Sequence, residues 1–183
     1  MKAQLLIAAL LASVAAGAAA GETHDRFFET IKGMCGQKYV GQVVDGIESD
    51  KNWRENRIVM HVRDCSDERL YIPLAVGSNH SRNWVITKTD NGLRLKHDHR
   101  HHDGTPEAVT MYGGDTKDAG TAWSQSFPVD DYSKKNFIEN GLDVSITNTW
   151  TMSVVEGKTF SYRLSRPGRS FQVDFDLKNP VID

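Results

Sequence analysis

From Lys38 onward, apolar residues recur at every second position in short runs cut off by Gly, Pro, Asn and Asp. Ile58, Met60 and Val62 alternate with Val59, His61 and Arg63, and Phe160, Tyr162 and Leu164 alternate with Ser161, Arg163 and Ser165. A period of two gives a strand one buried face, whereas a helix needs a period near 3.6. Runs of this kind fall near residues 38–45, 57–64, 68–75, 82–89, 92–100, 107–113, 121–128, 145–155, 159–166 and 170–177. Turn signals join several of them, among them Asp90-Asn91-Gly92, Asp103-Gly104, Glu156-Gly157 and Pro167-Gly168.

Consecutive short strands must hide their edges, and closure into a barrel does so most completely. The expected class is therefore all-β, a mainly antiparallel meander of about ten strands closed into a β-barrel, with a β-sandwich as the alternative. Its inward set runs from Ile58, Met60 and Val62 through Leu70, Ile72, Leu74, Trp84, Ile86, Leu93 and Leu95, then on to Trp150, Met152, Val154, Phe160, Tyr162, Leu164, Phe171, Val173 and Phe175. Two segments break the pattern. Phe27, Phe28, Ile31 and Met34 have helical spacing and predict a short N-terminal helix. Asp130 to Gly141 reads as a second short helix, with Asp130 or Asp131 as cap and Gly141 as terminator.

The first twenty residues read as a secretory leader: Lys2, an apolar run from Leu5 to Val14, then small residues ending in Ala18-Ala19-Ala20, with cleavage near Ala20. The apolar run is shorter than the roughly 18 residues of a membrane span, and no later stretch reaches that length. The expectation is a periplasmic or secreted protein whose residues 21–183 form one domain with no membrane span. With 22 Lys and Arg against 24 Asp and Glu, interspersed along the chain, no basic face points to nucleic acid.

An exported chain with two cysteines predicts a disulfide, Cys35 to Cys65. Position supports the pairing. In an antiparallel hairpin turning near Asp50, in the polar stretch Glu48 to Asn52, residues 35 and 65 lie equidistant from the turn.

Chemistry concentrates in Lys96-His97-Asp98-His99-Arg100-His101-His102-Asp103, which holds four of the seven histidines. His97 and His99 continue the parity of Leu93 and Leu95 and so face inward, while Arg100 to Asp103 lead into the Asp103-Gly104 turn. With Trp84, Trp150 and Tyr162 on other inward faces, His97 and His99 make a candidate site for a small apolar or aromatic molecule. The alternative is a zinc or copper site on His97, His99 and His101, alone or serving a metal-dependent enzyme, with Glu107 or His61 as a further ligand. A third reading is an envelope protein-interaction module using a sheet edge or the 130–141 helix. Tyr112-Gly113-Gly114-Asp115 reads as a turn at a strand end. Gly-x-Ser-x-Gly, phosphate loops, dinucleotide fingerprints and His-Glu-x-x-His do not occur in the sequence, so hydrolase and kinase readings have no support. The sequence names no cofactor beyond zinc or copper and no oligomeric state.

At Cys35-Gly36, Met60 to Cys65, Leu93 to Asp103, Val109 to Asp115 and Arg166-Pro167-Gly168-Arg169, the chain resembles a family of small exported bacterial proteins. That resemblance covers residues 21–183 and implies export without implying a mechanism. More distantly, a short helix followed by Gly33-Met34-Cys35-Gly36 and a β meander looks like the lead-in to calycin-type barrels, such as lipocalins and the nitrobindin-like group. This implies a calycin-like barrel with an interior able to hold a ligand.

Overall fold

The computed structural model of the chain describes residues 20–182; the leader read over residues 1–20 thus lies outside the described residues except for Ala20. The two-residue period becomes eleven strands among the described residues. They are β1 (Lys38–Asp45), β2 (Ile58–His61), β3 (Asp64–Cys65), β4 (Arg69–Val76), β5 (Asn79–Thr89), β6 (Gly92–His99), β7 (Tyr112–Asp115), β8 (Ser124–Pro128), β9 (Thr149–Val155), β10 (Thr159–Arg166) and β11 (Arg169–Asp176). Every pairing is antiparallel, in the order β7-β6-β5-β4-β2-β1-β11-β10-β9-β8, with β3 added to β4. The sheet curls into a nearly closed barrel, so the sandwich alternative falls away.

The seam between β7 and β8 is stitched by a helix start rather than by a ladder. The helix α3 (Asp131–Glu139) is capped by Asp130, whose carboxylate accepts from the Ser133 amide at 2.8 Å. The Asp130 amide donates to the Gly113 carbonyl at 2.9 Å. Ser133 Oγ accepts from the Gly113 amide at 2.8 Å, and Lys96 forms an ion pair with Asp130. A buried edge needs partners for its main-chain groups, and the helix cap supplies them here.

The expected inward set forms one core, with every member buried except Leu164, which is half-buried and packs against it. A helix over residues 20–32 (α1) closes one end of the barrel with Phe27, Phe28 and Ile31. It is fastened there by Thr23 and His24 to the carbonyls of Ala119 and Asp118, and by Lys88 to Asp25 and Glu29. At the other end lie a 3-10 turn (Glu48–Asp50), α2 (Lys51–Glu55), α3 and a second 3-10 turn (Asp143–Thr147). None of the helices among the described residues is long and apolar enough to cross a membrane.

The expected Cys35–Cys65 disulfide is present, with Cα atoms 6.3 Å apart. The β1–β2 register, Lys38 opposite His61 and Tyr39 opposite Met60, places the two cysteines beside each other just past the paired residues, as the hairpin argument requires.

Three local expectations are corrected. The tip at Glu48 to Asn52 is helical rather than a tight turn, because Asp50 accepts from the Ile47 amide at 2.8 Å and binds Arg169 at 2.6 Å. The strand expected over 107–113 forms instead at Tyr112–Asp115, which in turn replaces the turn expected over those four residues. Thr110 Oγ1 accepts from the His99 amide in place of a main-chain carbonyl, and Met111 adopts φ 54, so the ladder resumes only at Tyr112. The strand expected over 145–155 begins only at Thr149, because residues 143–147 take a 3-10 turn in which Val144 points into solvent and Ile146 packs on the core.

Candidate functional site

Near the barrel end opposite α1 there is a cavity of about 320 Å³. Strand register explains its wall. Trp84 on β5 pairs with His97 on β6, which pairs in turn with Tyr112 on β7, and Arg82 pairs with His99. Trp150 from β9 and Tyr162 from β10 complete the aromatic side, while Phe137 of α3, Leu142 and Ser145 cover it from the helical end. All five residues expected to bind a ligand, His97, His99, Trp84, Trp150 and Tyr162, therefore line one cavity.

The packing is ring on ring. Trp84 stacks on Tyr162 at 4.5 Å between centroids, and His97 stacks on Tyr112 at 4.6 Å with planes 11° apart. Hydrogen bonds fix the His97 tautomer. Nδ1 lies 3.1 Å from the Tyr112 carbonyl, which can only accept, so Nδ1 carries the proton. Nε2 is then an acceptor, and the Tyr162 hydroxyl donates to it at 2.8 Å. Tyr112 Oη pairs with His99 Nε2 at 3.0 Å, and His99 Nδ1 lies 3.6 Å from Glu107.

Burial dominates the ionisation of these groups. It lowers His97, and together with the charges of Lys96 and His99, and against the Tyr112 carbonyl, brings it from 6.5 to about 3. His99 is lowered by burial and by the Arg82 charge, with Glu107 opposing. Tyr112 and Tyr162 are raised, chiefly by burial. The site is thus a neutral imidazole and phenol network.

A neutral buried His97 sets a pH dependence. The unfolded chain takes up a proton below about pH 6.5 that the folded chain refuses until about pH 3, so stability falls as pH falls through that window. The slope from this group is about 1.4 kcal/mol per pH unit. In urea titrations at pH 6 and pH 5, His97→Gln is expected to lose less stability on acidification than the wild type, by about that amount. Parallel losses in the two proteins would show that His97 titrates normally.

Of the three histidines expected to hold a metal, His97 and His99 line the cavity and His101 does not. His101 sits exposed in the hairpin turn closed by its amide to the Thr105 carbonyl, away from His97 and His99. Both nitrogens of His97 are already engaged. Among the described residues no group of three or more His, Cys, Asp or Glu side chains is arranged to hold a metal ion.

Sequence reasoning missed Tyr112, because the two glycines after it read as a turn. It also missed Arg82, Arg166 and Arg169, all of which line the cavity. A signal for them existed: Arg82 shares the parity of Trp84 and Ile86, Arg166 that of Tyr162 and Leu164, and Arg169 that of Phe171 and Val173. A cation that continues an apolar face is placed at the rim or wall of the interior.

Fold and site together define a nearly closed antiparallel barrel, plugged by a helix at one end, with an aromatic-walled cavity near the other. Comparison with protein-family models, with curated proteins and with solved structures finds no match to this chain.

Proposed function

We propose that this is an exported barrel protein that binds a small molecule with an aromatic or apolar body, and that it holds the molecule rather than transforming it. The observation that carries this reading is the cavity of about 320 Å³ walled by Trp84, Trp150, Tyr112 and Tyr162. Small-molecule sites span roughly 300–1,000 Å³ and are mostly apolar with a few placed polar groups, so the volume suits a compact ligand. It is about twice the roughly 150 Å³ that holds a benzene in a protein interior, which suggests a ring system with a substituent. A binding role also fits the two wall histidines, whose Nε2 atoms are occupied by tyrosine hydroxyls rather than by a nucleophile. Export rests on the leader-like first twenty residues and on the resemblance to exported and calycin-type proteins.

Native mass spectrometry of protein purified from its own host, together with calorimetric titration of the neutral probe 1-naphthamide, tests the reading. A co-purifying small molecule, or saturable 1-naphthamide binding that weakens at least tenfold in Ser145→Trp, is the expected result; Ser145 lines the cavity, where a large ring takes up the space. The reading is overturned if no species co-purifies and no naphthalene probe, neutral or charged, binds saturably.

A further inference from the structure

The charges in the cavity wall do not balance. Arg82, Arg166 and Arg169 line it together with two carboxylates, Asp50 and Glu107. Asp50 is taken by Arg169 at 2.6 Å and by the Ile47 amide. Glu107 lies against His99 at 3.6 Å. Among the described residues Arg166 donates only to the neutral Asn148 Oδ1, at 3.1 Å. Arg82 carries an unmet donor: its Nη1 is fully buried without a hydrogen-bond partner, and the side chain forms no ion pair among the described residues. Its guanidinium lies over the Trp53 ring, with the central carbon 5.0 Å from the ring centroid.

A guanidinium has five N–H donors in one plane and stays charged at any physiological pH. The Trp53 contact engages its face and leaves the in-plane donors without use. Buried donors are nearly always paired, and a buried cation normally has a counter-ion. Strand register holds Arg82 rigidly in place, on the face that carries Trp84 and opposite His99 on β6. The arrangement is a half-buried cation with one terminal nitrogen wholly buried, beside stacked aromatic rings, and Tyr112 and Tyr162 line the same cavity.

We infer that the ligand is an organic anion, with an acidic head group seated on Arg82 and assisted by Arg166, and an aromatic body lying between Trp84, Trp150 and Tyr112. This rests on the ligand-binding reading above and adds the charge of the ligand to it. The planar guanidinium fork matches the two oxygens of a carboxylate or of a phosphate. The aromatic wall alone would accept neutral and charged molecules alike, so the prediction is one of discrimination.

Calorimetric titration of the full chain with 1-naphthoate, 1-naphthyl phosphate and 1-naphthamide tests it, in the wild type, Arg82→Met and Arg82→Lys. The wild type is expected to bind at least one of the two anions tenfold or more tighter than the amide, since a charge-assisted hydrogen bond in a desolvated site is worth about that ratio or more. Whether naphthoate or naphthyl phosphate binds tighter identifies the head group. Arg82→Met is expected to bring the preferred anion down to the affinity of the amide, with amide binding kept within about twofold, and Arg82→Lys to keep part of the preference. Retained amide binding in Arg82→Met also shows that the cavity is still folded. Equal binding of anions and amide by the wild type, or an anion preference that survives in Arg82→Met, overturns the inference while leaving the ligand-binding reading intact. Failure of all three probes, with no co-purifying species, overturns both.

Discussion

Gly114→Ala is expected to destabilise the barrel by about 3 kcal/mol or more, because the methyl group has no space to occupy. A Cβ on Gly114 would sit 1.8 Å from the Pro128 carbonyl oxygen and 2.8 Å from its carbon. Both are backbone atoms of the neighbouring strand β8, so relief requires the seam to part rather than a side chain to turn. Parting it breaks the bond from the Asp130 amide to Gly113 and pulls Ser133 away from the Gly113 amide, the contacts that bring β7 and β8 together. Gly113 is constrained from the other side: its Cβ would lie 1.9 Å from the Leu95 carbonyl, at φ 153. Gly157→Ala is the control. There the backbone has φ 62 but nothing lies within 4 Å of the added carbon, so only the conformational cost of about 1–2 kcal/mol is expected. Urea unfolding of the two variants separates the two effects. If Gly114→Ala loses no more than Gly157→Ala, the seam is looser than the geometry shows.

Removing the Cys35–Cys65 bridge has a comparable effect by a different route. The bond closes a loop with a sequence separation of 30, and in the chain-entropy model its loss relaxes the unfolded state by about 3–4 kcal/mol. It also joins Cys35, three residues past the end of α1, to Cys65 of β3, so it holds the helical plug against the barrel mouth it closes. For a domain of this size the Cys35→Ser/Cys65→Ser variant is expected to melt on the order of 10 °C lower. Scanning calorimetry of the oxidised protein, the protein with reductant and the double variant checks this, and a shift of less than about 3 °C contradicts it. Cavity binding should survive in the folded double variant, because neither cysteine lines the cavity and α1 closes the opposite end.

Much of this was legible in the residues. Alternation along β4, β9, β10 and β11 named the inward faces, since a strand in a one-sided sheet allows its side chains only two directions. The same parity placed His97 and His99 inside and separated them from the Arg100 to Asp103 turn. It failed where side chains competed for backbone partners: Thr110 displaced the expected ladder ahead of Tyr112, and Asp50 turned a hairpin tip into a helical corner. Such substitutions are decided by groups distant in the chain, such as Arg169 for Asp50, and a local pattern does not contain them.

The sequence by itself determined the fold class, the inward faces and the cysteine pairing, because each follows from short-range periodicity or from symmetry about one hairpin. Only the tertiary structure decided what the interior holds. Arg82, Arg166, Tyr112 and Trp53 come from four separated segments, and their convergence on one cavity depends on how the barrel curls and which helical turns cover its end. Whether a buried charge finds a partner is a property of that three-dimensional neighbourhood. For Arg82 the neighbourhood supplies an aromatic face and, among the described residues, no carboxylate within ion-pair distance.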